Sequence, residues 1–157
     1  MYPFIHETCN LPSWDCALRE IVFPDVCVSQ VPEPGGTMQM GIGDYLDIYT
    51  EQKWNSIVTV FFIDTAHNII AYVERIFETL LPGGLWINNG PLLYHFADSN
   101  EKSVELTWAE LREVILNTGF EIEVENREKC TYVQNRDSLL KYEYDCLLFT
   151  ARKPALN

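Results

Sequence analysis

A chain of 157 residues is about one domain and is long enough to bury a core. With 47% apolar and 22% charged residues its composition is globular, which excludes an intrinsically disordered class. A net charge of −12, with only 11 scattered Lys and Arg, excludes a nucleic-acid partner, and no apolar run approaches the roughly 20 residues of a membrane span. The start "MYPFIHETCN" has neither a basic nor an apolar leader region, so the expected address is cytoplasmic, with the nucleus also open. Cys9, Cys16, Cys27, Cys130 and Cys146 are odd in number and form no C-x-x-C pair, so reduced thiols are expected rather than disulfides or a zinc site.

Residues 1–36 are punctuated by Pro and Gly and read as an irregular connecting segment, within which "REIVFPDVCV" alone looks strand-like. Residues 37–157 read as the folded part. "TMQMGIGDYLDIY" suggests a short strand closing near Met40 and a helical turn from Asp44. "SIVTVFFI", 56–63, is a β-branched and aromatic run of the kind found in a parallel strand covered on both faces. A helical stripe of Ile69, Ile70, Val73, Ile76, Phe77, Leu80 and Leu81 follows, with a stop expected at "LPGG".

"GLWINNGP" is a second apolar run ending in polar residues, which completes a βαβ unit. Thr107 and Glu110 have capping-box spacing, and Gly119 marks the end of a further crossover helix. "FEIEVE" and "YEYDCLLFTARKP" then predict a closing antiparallel pair of strands. The pattern is α/β, and ligands of open α/β sheets bind outside the carboxyl ends of the parallel strands, where Asp64 and Asn88 fall.

Each polar candidate has a structural explanation beside a functional one. Asp64 or Thr65 can cap the following helix, and a capping carboxylate can also serve a site. His67 and Asn68 fall near the first helical turn, where surface residues are usual. His95, among aromatics, suits either core packing or catalysis near neutral pH. Tyr142 and Tyr144 alternate onto one strand face, as simple packing would also require. Neither common glycine-rich phosphate motif is present.

Taken in order, "FPDV", "GDYLDIY", "TVFFIDTAHNII", "LLPGGLWINNGPLLYHF", "GFEIEVE" and "YEYDCLLFTARKP" resemble carnosine N-methyltransferase across nearly the whole chain. The resemblance implies the C-terminal half of a Rossmann-like class I methyltransferase sheet. It also implies transfer of a methyl group from S-adenosylmethionine to the imidazole of carnosine, giving anserine. Asp44, Tyr45 and Val60 are implied to lie by the cofactor's adenine, the family often carrying Phe and Cys at the last two positions. Asp64, His95 and Tyr144 are implied to contact the dipeptide, with Tyr142 beside them.

The chemistry suits these residue types. One ring nitrogen of a neutral imidazole must attack as a lone pair while the proton is held on the other, and a carboxylate does this by accepting the N–H. Asp64 is the choice for that catalytic role. Positioning of two reactants supplies much of the rate, so no metal is needed. The glycine-rich loop and the ribose-binding acid of class I methyltransferases are absent here, which leaves the strand from residue 56 with an open apolar edge. Two readings follow: the substrate-bearing half of an enzyme, as a homodimer or paired with an N-terminal half, or an inactive fragment acting only through strand-edge pairing with that half or a regulator.

Overall fold

The structure is a computed structural model that describes residues 1–26, 39–51, 53–132 and 134–155. It divides into two compact units, Met1–Gly41 with Thr131–Glu143, and Ile42–Cys130 with Tyr144–Asn157. The first unit holds a short helix, α1 (Trp14–Ala17). Its 131–143 excursion is tied to the N-terminal segment by buried Asn135, whose amide donates to Glu7 Oε2 at 3.1 Å and to the Cys16 carbonyl at 3.2 Å. Arg19 adds an ion pair to Asp137 at 2.9 Å. Residues 19–26 form no strand, and Cys27 and Val28 lie outside the described residues.

In the second unit Asp44 caps α2 (Tyr45–Ile48), its Oδ1 accepting from Leu46 N at 2.8 Å. Residues 39–43 form no strand, and Thr37 and Met38, where the strand expected near Met40 would begin, lie outside the described residues. β1 (Trp54–Val60) runs into a 3₁₀ turn at Ile63–Thr65, and α3 (Ile69–Thr79) follows behind an Asn68 cap. β2 (Leu80–Gly90), α4 (Trp108–Thr118), β3 (Glu121–Cys130) and β4 (Tyr144–Arg152) complete it.

β1 and β2 are parallel, with Val60 opposite Asn89, and α3 is their crossover. β4 returns antiparallel between β2 and β3, so the sheet order is β1-β2-β4-β3. Thr107 and Glu110 form the expected capping box, and Gly119 closes α4 at φ 110°. Its left-handed conformation suits glycine, and a Cβ would also sit 3.1 Å from the Phe77 ring.

One face of the sheet carries the core. Trp86 is registered with Ala151 and Asn88 with Phe149, so period-two alternation puts all four on the same side. Ile69, Val73 and Ile76 of α3 and Leu111 and Ile115 of α4 are fully buried against them. Each such side chain contributes about 1.5–3 kcal/mol by leaving water.

Two expectations are corrected. β1 is not covered on both faces: Thr59 is buried and Ile57 half-buried, but Val58 and Val60 are 61% and 57% exposed. Both described crossover helices pack on the Trp86 face, and among the described residues β1 has one strand neighbour, so its other face and outer edge are open. The second correction is that α3 stops at Thr79, before Pro82, and Leu80–Gly84 already belong to β2. Lys153 explains the early stop, because its Nζ donates to the Phe77 and Leu80 carbonyls at 2.7 and 2.9 Å and satisfies the helix end.

Candidate active site

The sheet places its parallel carboxyl ends at Val60 and Gly90, and the chain turns sharply after the first. Phe61 adopts φ 48°, a left-handed conformation costly for an aromatic residue, and its N–H donates to the Asn89 carbonyl at 2.9 Å. A Cβ on Gly90 would lie 3.0 Å from Phe61 N, so the corner depends on glycine at that point. The bend carries Asp64 inward on the 3₁₀ turn, where it is 2% exposed.

The loop after β2 wraps this carboxylate. Asp64 Oδ2 accepts from Leu93 N at 3.0 Å, while Oδ1 is buried with no hydrogen-bond partner in the chain. The backbone carbonyl of Asp64 accepts from His95 N at 3.1 Å and faces His95 Nδ1 at 3.2 Å. A carbonyl only accepts, so Nδ1 of the exposed His95 ring carries a proton. Burial pushes the Asp64 carboxyl above its ordinary range, opposed by the Leu93 N–H and by His95. A buried carboxylate with one unmet oxygen is a ready acceptor for a ligand N–H.

Tyr144 opens β4, half-buried, with its ring edge-to-face on Phe61 at 5.7 Å, at the same end of the sheet. Tyr142 does not share that strand. It lies in the other compact unit, 58% exposed, with its amide donating to Gln134 Oε1 at 3.3 Å. The structure therefore brings Asp64, His95 and Tyr144 to one sheet end within a single unit.

Tyr45 packs its ring against Phe62 and Tyr72 at 5.5 and 5.1 Å. It lines a cavity of about 310 Å³ with Tyr49, Trp54, Ser56, Val58 and Phe62. Asp44 borders this region as the α2 cap, whereas Val60 is exposed and does not line the cavity; Ser56 and Val58 of the same strand do.

Several site features escaped sequence reasoning. Asn88 is fully buried away from the crevice, taking a hydrogen bond from Thr59 Oγ1 at 2.8 Å and giving one to the Leu147 carbonyl at 3.0 Å, which ties β1, β2 and β4 together. Asn89, next to it, points to the other face, donating to Cys130 Sγ at 3.7 Å and leaving its own Oδ1 buried and unpartnered. Burial, and then the Cys130 thiol beside it, pushes the Cys146 thiol up to about 12 and keeps it protonated. Cys9, Cys16, Cys130 and Cys146 are free thiols, and Cys27 lies outside the described residues. Among the described residues no three His, Cys, Asp or Glu side chains are grouped to hold a metal, and no helix is long and apolar enough to cross a membrane.

The family model for carnosine N-methyltransferase matches residues 1–155. The chain belongs to the carnosine N-methyltransferase family. The carnosine N-methyltransferases of Mus musculus and Rattus norvegicus are each 46% identical over 157 residues, covering 98% of this chain. The chain spans 39% of the length of either relative. In structure it is similar to a SAM-dependent methyltransferase from Methanosarcina mazei, with a TM-score of 0.58 and 14% identity over 79% of this chain and 71% of that one. The fold of this carnosine N-methyltransferase family chain is thus a partial Rossmann-like, class I methyltransferase sheet.

Proposed function

We propose that the chain carries the substrate side of an S-adenosylmethionine-dependent N-methyltransferase that converts the imidazole of carnosine to that of anserine. The observation that carries the reading is the buried, unpartnered Oδ1 of Asp64 beside His95. That oxygen accepts the substrate imidazole N–H, which fixes the ring's tautomer and leaves the other ring nitrogen as a lone pair. As the ring becomes cationic the carboxylate stabilises it and then takes the proton. The raised carboxyl pKa brings Asp64 closer to the imidazole range, which suits a proton acceptor at neutral pH. The hydroxyl of Tyr144 tethers a polar end of the dipeptide.

S-adenosylmethionine supplies the electrophilic methyl on its sulfonium. The aromatic-walled cavity beside Tyr45 fits a planar purine, with Tyr45, Tyr49 and Phe62 offering ring faces and edges. Asp44 and Val60 remain proposed neighbours of that group.

The open outer edge of β1 favours a second reading, an inactive segment that acts by pairing that edge with another strand. Incubating the full-length protein that contains this chain with S-adenosylmethionine and carnosine, followed by mass spectrometry, decides between them. Anserine formation that collapses in Asp64→Asn is expected. Absence of methyl transfer from a folded, cofactor-binding protein would leave the pairing reading.

A further inference from the structure

His95 does not hold its place unaided. It sits on the loop that leaves β2, and two layers of contacts fold that loop back over Asp64. The inner layer is Tyr94, whose hydroxyl donates to the Leu106 carbonyl at 2.7 Å and accepts from Leu106 N at 3.0 Å, closing the loop at its base. The outer layer is His67, immediately before the Asn68 cap of α3. The His67 ring stacks on Phe96, the residue after His95, with centroids 3.5 Å apart and planes inclined at 22°. Its Nδ1 faces the Lys102 carbonyl at 3.3 Å and its Nε2 lies 3.4 Å from Glu101 Oε2.

We infer that His67 is a positioning residue for His95: its stack on Phe96 and its contacts to Glu101 and Lys102 pin the tip of the 94–104 loop, which keeps His95 and Leu93 on Asp64. The role rests on the proposed reading of Asp64 and His95 as substrate contacts. The stack reaches the loop one residue from His95, while the Glu101 and Lys102 contacts hold the returning limb, so one ring spans both sides of the loop. The backbone link from Val104 N to the His67 carbonyl at 2.9 Å does not depend on the side chain. Losing the ring therefore frees the tip without detaching the loop. The ring and Glu101 are both largely exposed, so its removal leaves the core intact.

The test is amide hydrogen exchange on the full-length protein that contains this chain, comparing wild type, His67→Ala and Glu101→Gln. In His67→Ala the amides of Leu93 and His95 exchange about threefold to tenfold faster, as expected for losing one aromatic stack and two exposed polar contacts. Glu101→Gln gives a smaller effect at the same two amides. Protection across α3 and β2 stays unchanged in both variants. In parallel, His67→Ala raises the KM for the imidazole dipeptide several-fold without moving the KM for S-adenosylmethionine, and His67→Tyr, which keeps a stacking ring, recovers part of the loss. Unaltered exchange at Leu93 and His95 in His67→Ala would overturn the inference, as would a uniform increase that extends through α3 and β2. If the wild-type protein methylates no imidazole dipeptide, the proposed function fails while the exchange comparison still decides whether His67 positions the loop.

Discussion

The backbone amide and the ring Nδ1 of His95 converge on a single atom, the carbonyl oxygen of Asp64, at 3.1 and 3.2 Å, while the carboxylate of the same residue keeps Oδ1 unpartnered. The loop is thus held by Asp64's backbone, and one oxygen of its side chain is left over. Burial without a partner costs stability, which is the usual signature of a group retained for chemistry.

Asp64→Asn should therefore separate stability from activity. The folded-state pKa of Asp64 is raised, so its contribution to stability is complete below the unfolded carboxylate pKa of about 4 and is lost as pH rises through the folded value. At neutral pH the wild type holds an ionised, desolvated carboxylate, whereas asparagine is neutral and still accepts from Leu93 N. Thermal melts of the full-length protein should show the variant more stable at pH 7, with the gap closing on acidification. Methyl transfer should fall at least about a hundredfold, the scale of removing a positioned acid–base group. A variant that is less stable at every pH would contradict the burial argument.

The same group sets the acid limb of the pH–rate profile. Asp64 must be ionised to accept the imidazole N–H, so kcat/KM should decline as pH falls through a value above the ordinary carboxylate range, because burial is the largest influence on this carboxyl. A competing substrate ionisation is separated by measuring the free dipeptide's own titration by proton NMR. An acid limb that follows the substrate alone would remove Asp64 from this role.

Where the candidate residues lie was partly legible in the sequence. The run "SIVTVFFI" followed by "DTAHN" marks where the chain leaves the sheet, although the strand itself ends at Val60 and residues 61–63 form the bend and the start of the 3₁₀ turn beyond it, and the open-sheet rule locates ligands there. Thr107, Glu110 and Gly119 set the limits of α4 because capping is local chemistry. What escaped depended on distant residues. The end of α3 is set by Lys153, far along the chain, and sequence periodicity ran two residues too long. Tyr142 and Tyr144 alternate as a strand would, yet the strand begins at Tyr144 because the preceding segment folds with the N-terminal unit. Asn88 has the composition of a site residue but serves as a cross-strand tie, and only register shows which side of β2 it faces. The partial cover of β1 was implied by the family's missing first strands, whereas the run "SIVTVFFI" by itself indicated full burial.

Gly90→Ala tests the corner beneath Asp64. The added Cβ would meet Phe61 N at 3.0 Å and Cα at 3.1 Å, both backbone atoms that cannot swing aside, at a residue already held at φ 48°. Relief requires Phe61 and the 3₁₀ turn to shift, so a cost of about 1–3 kcal/mol is expected, with dipeptide affinity falling more than cofactor affinity. Urea unfolding and isothermal titration would measure the two effects. Unchanged stability would show that the corner relaxes freely and that Phe61 does not fix Asp64.

The last prediction concerns the outer edge of β1. Val58 and Val60 are 61% and 57% exposed on a strand whose described neighbour is β2 alone, so an apolar, β-branched edge faces water. Such an edge templates pairing with another strand, and natural proteins block it with charge or cover. The 157-residue chain expressed by itself should therefore self-associate or remain partly unfolded. Val58→Lys together with Val60→Lys should shift it toward monomer, because like charges on adjoining edges repel while Thr59 keeps its buried contact with Asn88. Co-expression with the N-terminal portion of a longer family member should have the same solubilising effect by supplying the missing strand. Light scattering and thermal unfolding read both outcomes. A monodisperse wild-type monomer with one cooperative transition, and no change on adding the lysines, would mean that the edge is protected in this chain and that no further strand is needed to complete the sheet.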